Sequence, residues 1–163
     1  MSIAGIWEAV EGHQVCTLSI FVSEKVHVFS RPGQVVYIQG AVFDDLTGTI
    51  TPECLENAYG IYSYVLVESG AHRNVVIGTD KLGFSALYYS FENTKLLFSD
   101  DIGWIKSRLW APSIDYDAIE EMLNLGEILG TKTNIKQIQR LGYGEKIMTV
   151  SYTHLTLPTI YSV

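Results

Sequence analysis

Four histidines and two cysteines are the side chains of this 163-residue chain best suited to metal binding or nucleophilic attack, and their spacing supports neither. Cys16 and Cys54 have no cysteine or histidine at metal-ligand separation, which argues against zinc and redox motifs and predicts two small core hydrophobes. His13, His27, His72 and His154 make no H-x-x-x-H pair, and no G-x-S-x-G turn is present to draw one into a triad, so structural or surface roles are expected. The remaining polar positions of interest sit at the ends of apolar runs. Ser2 opens a strand-like segment that starts almost at the terminus, Gln39 and Gly40 close another, and Ser99, Asp100 and Asp101 precede a helix pattern.

The elements that would position these residues are mostly strands. The β-branched run at 75–77 suits a buried strand; Thr79, Asp80 and Gly83 then supply turn chemistry, and strands at 86–90 and 95–98 flank a hairpin loop at 92–94. Ser99 stands where an N-cap would, with Asp100 and Asp101 in the first turn, favoured by the helix dipole. Upstream, strands are expected at 2–7, 15–22, 25–29 and 34–38, with Ser23 and Glu24 at a hairpin turn and Arg31, Pro32 and Gly33 at another. Thr51 as N-cap and Pro52 at the first helical position start a short helix carrying Leu55 and Ala58 on one face, closed by Gly60. A strand at 62–68 pairs across 69–72 with the one beginning at Val75. Helices follow at 100–109 and at 116–125, the second capped by Asp115 and ended by Gly126. Residues 135–141 are ambiguous and 144–150 read as a closing strand. Strands first, then helices with sheet between, predict an α+β layered domain rather than a doubly wound sheet.

The length fits one domain that buries about two-thirds of its unfolded surface without disulfides or metal. A formal charge of −7, with 11 basic residues scattered among 18 acidic ones, leaves no footprint for a phosphate backbone and excludes nucleic acid as a partner. The sequence has no apolar run of about 18 residues and no secretory leader pattern, so a cytoplasmic protein that does not engage a membrane is expected.

Several motifs resemble, in order, the N-terminal glutamine amidotransferase domain of the asparagine synthetase family, the class II or N-terminal-nucleophile type. Ile3, Ala4, Gly5 and Ile6 match the family's opening I-A-G-I. Gly60 to Tyr64 is similar to its G-x-F-A-F strand, Thr79 and Asp80 through Tyr89 to its R-D-x-x-G-x-x-P-L-Y-Y, and Phe98, Ser99, Asp100, Asp101 and Ile102 to its F-A-S-E-I. Ile114 and Asp115 through Leu125 and Gly126, then Thr133, Ile138, Leu141 and Gly144, resemble its closing stretch. The resemblance implies a four-layer αββα sandwich, the N-terminal-nucleophile hydrolase fold. It also implies a cysteine at the mature N-terminus whose own α-amine serves as base for attack on glutamine.

This chain departs from that pattern at the nucleophile. Met1 takes the cysteine's place and Ser2 the glycine's; a thioether cannot attack, and Ser2 becomes an N-terminal nucleophile only if Met1 is removed, one residue out of register. Gln39 and Gly40 stand where the family's oxyanion-hole Asn-Gly would be, with the Gly40 N–H a possible donor; a strand end followed by a turn is the other reading of this pair. The stretch between Ile6 and Gly60 is much shorter than the family's, and neither the glutamine-binding Arg nor the Asp finds a match. The expected function is therefore an amidotransferase-like domain, residues 1–150, of an asparagine synthetase-related ATP-dependent amide-forming enzyme, without glutaminase activity. The alternatives are a Ser2-dependent amidohydrolase and a non-catalytic binding or assembly module.

By the same resemblance, ATP and Mg belong to a synthetase domain carrying an S-G-G-x-D-S loop, which does not occur here, so no cofactor is expected in this chain. The expected partner is that C-terminal synthetase domain, with a homodimer as the other possibility. Residues 151–163 resemble in-frame translation of adapter sequence and predict a non-native tail on a truncated reading frame.

Overall fold

The computed structural model describes residues 2–9, 16–44, 50–69, 74–92 and 94–149. Met1, His13, His72, His154, the expected loop at 47–49 and the tail at 151–163 lie outside them. Among the described residues, ten strands and three short helices follow one another: β1 (Ile3–Ala9), β2 (Cys16–Val22), β3 (Val26–Arg31), β4 (Gln34–Val42), α1 (Pro52–Asn57), β5 (Gly60–Glu68), β6 (Asn74–Thr79), β7 (Tyr88–Glu92), β8 (Lys95–Ser99), α2 (Ile102–Lys106), α3 (Tyr116–Leu125), β9 (Gln139–Arg140) and β10 (Lys146–Thr149). They form two five-stranded antiparallel sheets, ordered β2-β1-β8-β7-β9 and β10-β6-β5-β4-β3.

Alternation along the strands decides what each face touches. In β5, Val65 and Val67 join Ile3, Ile77, Leu87 and Phe98 between the sheets, whereas Tyr64 and Leu66 turn outward to pack with Leu55 of α1. Tyr88 and Tyr89 divide in the same way, Tyr89 inward and Tyr88 toward Leu97 and Ile105 on the outer face of the first sheet. Burial pushes the Tyr62 phenol up to about 12 and that of Tyr64 higher still, so both stay neutral beneath α1. The Tyr62 hydroxyl donates to the Leu55 carbonyl and ties α1 to the sheet.

The four-layer αββα sandwich expected from the family resemblance does not form. The described chain is mostly antiparallel β, about 46% strand and 16% helix. A five-stranded sheet is about 20 Å across, while helices of six and five residues reach only about 9 and 8 Å, too short to make a covering layer. The third helix is longer, at ten residues, yet it buries only Ala118. The result is a β-rich two-sheet fold with helical fragments on its outer faces.

Three local expectations also change. Gly60 does not close α1; Ala58 caps it, and Gly60 opens β5 because a Cβ there would meet the Ala41 carbonyl oxygen at 2.3 Å. Ser99 is not an N-cap but the last residue of β8, and Asp101 caps α2 by accepting from the Gly103 and Trp104 amides. Cys54 is exposed rather than buried in the core. By contrast, Thr51 accepts from the Cys54 amide as the N-cap of α1, and Asp115 and Gly126 bound α3 as expected.

Candidate functional site

The first described residue, Ser2, is drawn to the end of the sheet by a carboxylate. Its backbone N–H lies 2.9 and 2.8 Å from the two oxygens of Asp100, and the Ile3 amide lies 3.3 Å from Oδ1. Asp100 returns a bond from its own amide to the Ile3 carbonyl at 3.1 Å, and the Ser23 amide donates to the Ser2 carbonyl at 2.9 Å. Gln39, on the other sheet, donates from Nε2 to Asp100 Oδ2 at 3.2 Å. The Asp100 side chain thus joins the two sheets at the point where β1 begins.

Two of the three residues singled out in the sequence, Ser2 and Gln39, meet at this carboxylate. Gly40 follows Gln39 within β4, not in a turn, with φ of +104°. Glycine is required there because a Cβ would sit 2.2 Å from the Ile61 carbonyl oxygen. Asp100 was the residue missed: an Asp-Asp pair before a helix reads as capping and dipole chemistry, but only Asp101 caps. The strand register held the signal. Leu96 and Phe98 of β8 face the core between the sheets, and the same alternation carried two residues further aims Asp100 into that space.

Next to Gln39 the inner face of the second sheet stays polar. Gln39 opposes Ser63, which opposes Thr79. Thr79 satisfies its hydroxyl on the Gly142 carbonyl at 2.9 Å. Among the described residues, four buried side-chain polar atoms have no hydrogen-bond partner, and two of them, Gln39 Oε1 and Ser63 Oγ, belong to this one cross-strand pair. Each such atom costs about 1–3 kcal/mol, so their clustering marks the polar end of the core as the place where packing is least self-sufficient.

The described arginines are engaged elsewhere. Arg31 ends β3 opposite Gln34, about 17 Å along β4 from Gln39. Arg140 donates to the Gly83 carbonyl at 2.9 Å, and the Arg108 guanidinium stacks 3.7 Å from the Trp104 ring on the outer face of the first sheet. Among the described residues, no group of three or more His, Cys, Asp or Glu side chains could hold a metal ion. No described helix is long and apolar enough to cross a membrane.

Residues 42–161 match the sequence profile of the glutamine amidotransferase domain family. The chain belongs to that family. A search of curated proteins finds no match. The matched span of this amidotransferase domain takes in β5 to β10, all three helices, Asp80 and Asp100, and it begins after Ser2, Gln39 and Gly40. It also continues beyond Thr149, where the described residues end.

Replacing Asp100 with Ala is expected to release the start of β1. The Ser2 and Ile3 amides lose their acceptor, Gln39 loses its partner, and stability falls by about 1–3 kcal/mol. Amide exchange at Ile3 should accelerate about tenfold or more relative to Val65 in the sheet centre. Unchanged exchange at Ile3 in the Ala variant would show that the backbone pairing of β1, not the carboxylate, holds this end.

Proposed function

We propose that this amidotransferase domain comes from an asparagine synthetase-related, ATP-dependent amide-forming enzyme, and that it releases no ammonia from glutamine itself. Family membership and the ordered motifs from Ile3 to Gly144 support the relation. The observation that supports the loss of glutaminase activity is the binding of the Ser2 nitrogen and the Gln39 amide to one carboxylate. N-terminal-nucleophile chemistry needs a free amine to take a proton from the attacking side chain. With Met1 in place, the nitrogen of Ser2 is an amide, which is not a base, and the Met1 thioether has no proton to give up.

Removal of Met1 would not restore the base. The new Ser2 amine would face Asp100 as an ammonium ion, and an adjacent carboxylate favours the charged form. In this reading the domain is a platform for its C-terminal synthetase domain, in which ATP and Mg act. The test is intact mass of the purified chain together with ammonia release from glutamine, for wild type and Ser2→Ala. The expected result is no release above the enzyme-free blank from either protein. Loss of Met1 together with ammonia production that disappears in Ser2→Ala would overturn the proposal in favour of a Ser2-dependent amidohydrolase.

A further inference from the structure

Among the described residues, the longest helix is the one the two-sheet core uses least. Along α3, Tyr116, Ile119 and Leu123 succeed one another at three- and four-residue steps with Met122 beside them, forming a continuous apolar row. Only Ala118 is buried, and Ile119 is half-buried. Tyr116, Met122 and Leu123 are 71%, 51% and 81% exposed. A single exposed leucine needs no explanation, whereas a whole amphipathic row turned to solvent marks an interaction surface.

The charge beside that row selects the occupant. Glu120 lies one turn from both Tyr116 and Leu123 and borders the row, and the exposed Asp117 lies one turn before Glu120; the third acid of α3, Glu121, is paired with Lys132, and α3 itself contains no lysine or arginine. A second copy docked antiparallel along the same row would set Glu120 against Glu120 of that copy, in a chain of formal charge −7. An anionic lipid surface carries the same unfavourable sign. We propose that α3 is a docking helix for a protein partner whose contact surface is apolar and rimmed by lysine or arginine.

The inference does not depend on the chemistry at Ser2, and its test needs no glutamine. The full chain is titrated into a fluorescein-labelled amphipathic helix made of leucine and lysine, and separately into its leucine and glutamate counterpart, with anisotropy as the readout. The expected result is binding of the lysine peptide alone, weakened about tenfold or more by Leu123→Glu, by Tyr116→Ser and by Glu120→Lys, and weakened by salt. Both substituted apolar residues are exposed, so folding is not at stake, and Glu24→Lys on the β2–β3 turn serves as a charge control expected to leave binding unchanged. Equal binding of the two peptides, no effect of Leu123→Glu, or an equal loss in Glu24→Lys would overturn the proposal. So would a dimer of the chain alone that dissociates in Leu123→Glu, because a second copy would then cover the row.

Discussion

Replacing Asp80 with Ala lowers the stability of the domain by about 3–5 kcal/mol, because one buried carboxylate organises the whole turn after β6. Its side chain accepts from the Leu82 amide at 3.0 Å, the Phe84 amide at 3.3 Å and the Ser85 amide at 3.1 Å. Its backbone extends the same hub: the Asp80 amide donates to the Tyr62 carbonyl at 2.9 Å, while the Asp80 carbonyl accepts from Gly83 at 3.0 Å and Gly144 at 3.1 Å. The side chain is almost wholly enclosed. Truncation therefore leaves three N–H donors without an acceptor, each worth about 1–3 kcal/mol, and the exposure of Leu82 and Phe84 lets water recover part of that. Urea unfolding should show a midpoint lowered by about 1–2 M at unchanged slope. Asp80→Asn keeps one acceptor oxygen and should lose roughly half as much. A loss under about 1 kcal/mol in the Ala variant would mean that the Gly83 and Gly144 bonds hold the turn without the carboxylate.

The second large effect comes from the pairing of Gly5 with Phe98 across β1 and β8. The Phe98 ring lies over Gly5 so closely that a Cβ there would sit 2.2 Å from Cζ. Phe98 is fully buried between the sheets, and Phe98→Ala is expected to cost about 3–5 kcal/mol in lost contact and cavity. Gly5→Ala overpacks the same spot and should cost about 1–3 kcal/mol. The two changes are coupled: in Gly5→Ala/Phe98→Leu the shorter side chain makes room for the methyl, and the double variant should be more stable than the sum of the single changes predicts by about 1 kcal/mol. Additive losses in that cycle would mean that the ring relieves the clash by moving, so that the glycine is not what admits it.

Gly5 was legible only as part of the opening I-A-G-I, and nothing local shows that the residue answers an aromatic ring 93 positions away. Much of the strand plan was legible in local terms. The β-branched run before Thr79, the Thr51-Pro52 helix start and the Asp115 and Gly126 bounds of α3 rest on backbone preferences and capping, which act within a few residues. The family was legible in the spacing of motifs between Gly60 and Gly144, inside the span that matches the glutamine amidotransferase domain.

Tertiary structure alone decided the rest. Whether short amphipathic segments become helical layers depends on the width of sheet they must cover, which is a sum over strands distant in sequence; here the helices are too short, and the four-layer expectation fails. The role of Asp100 depends on the register of β8 against β1, which points one aspartate into the inter-sheet space and leaves the next to cap α2. The meeting of Ser2 with Gln39 depends on the stacking of two sheets, since Ser2 leads into β1 of one sheet and Gln39 lies on β4 of the other. The sequence by itself determined the local hairpins and turns and the membership of the glutamine amidotransferase domain family. Only the folded chain set the carboxylate against the Ser2 nitrogen, because that contact is made by residues 98 positions apart, and local preference does not reach so far.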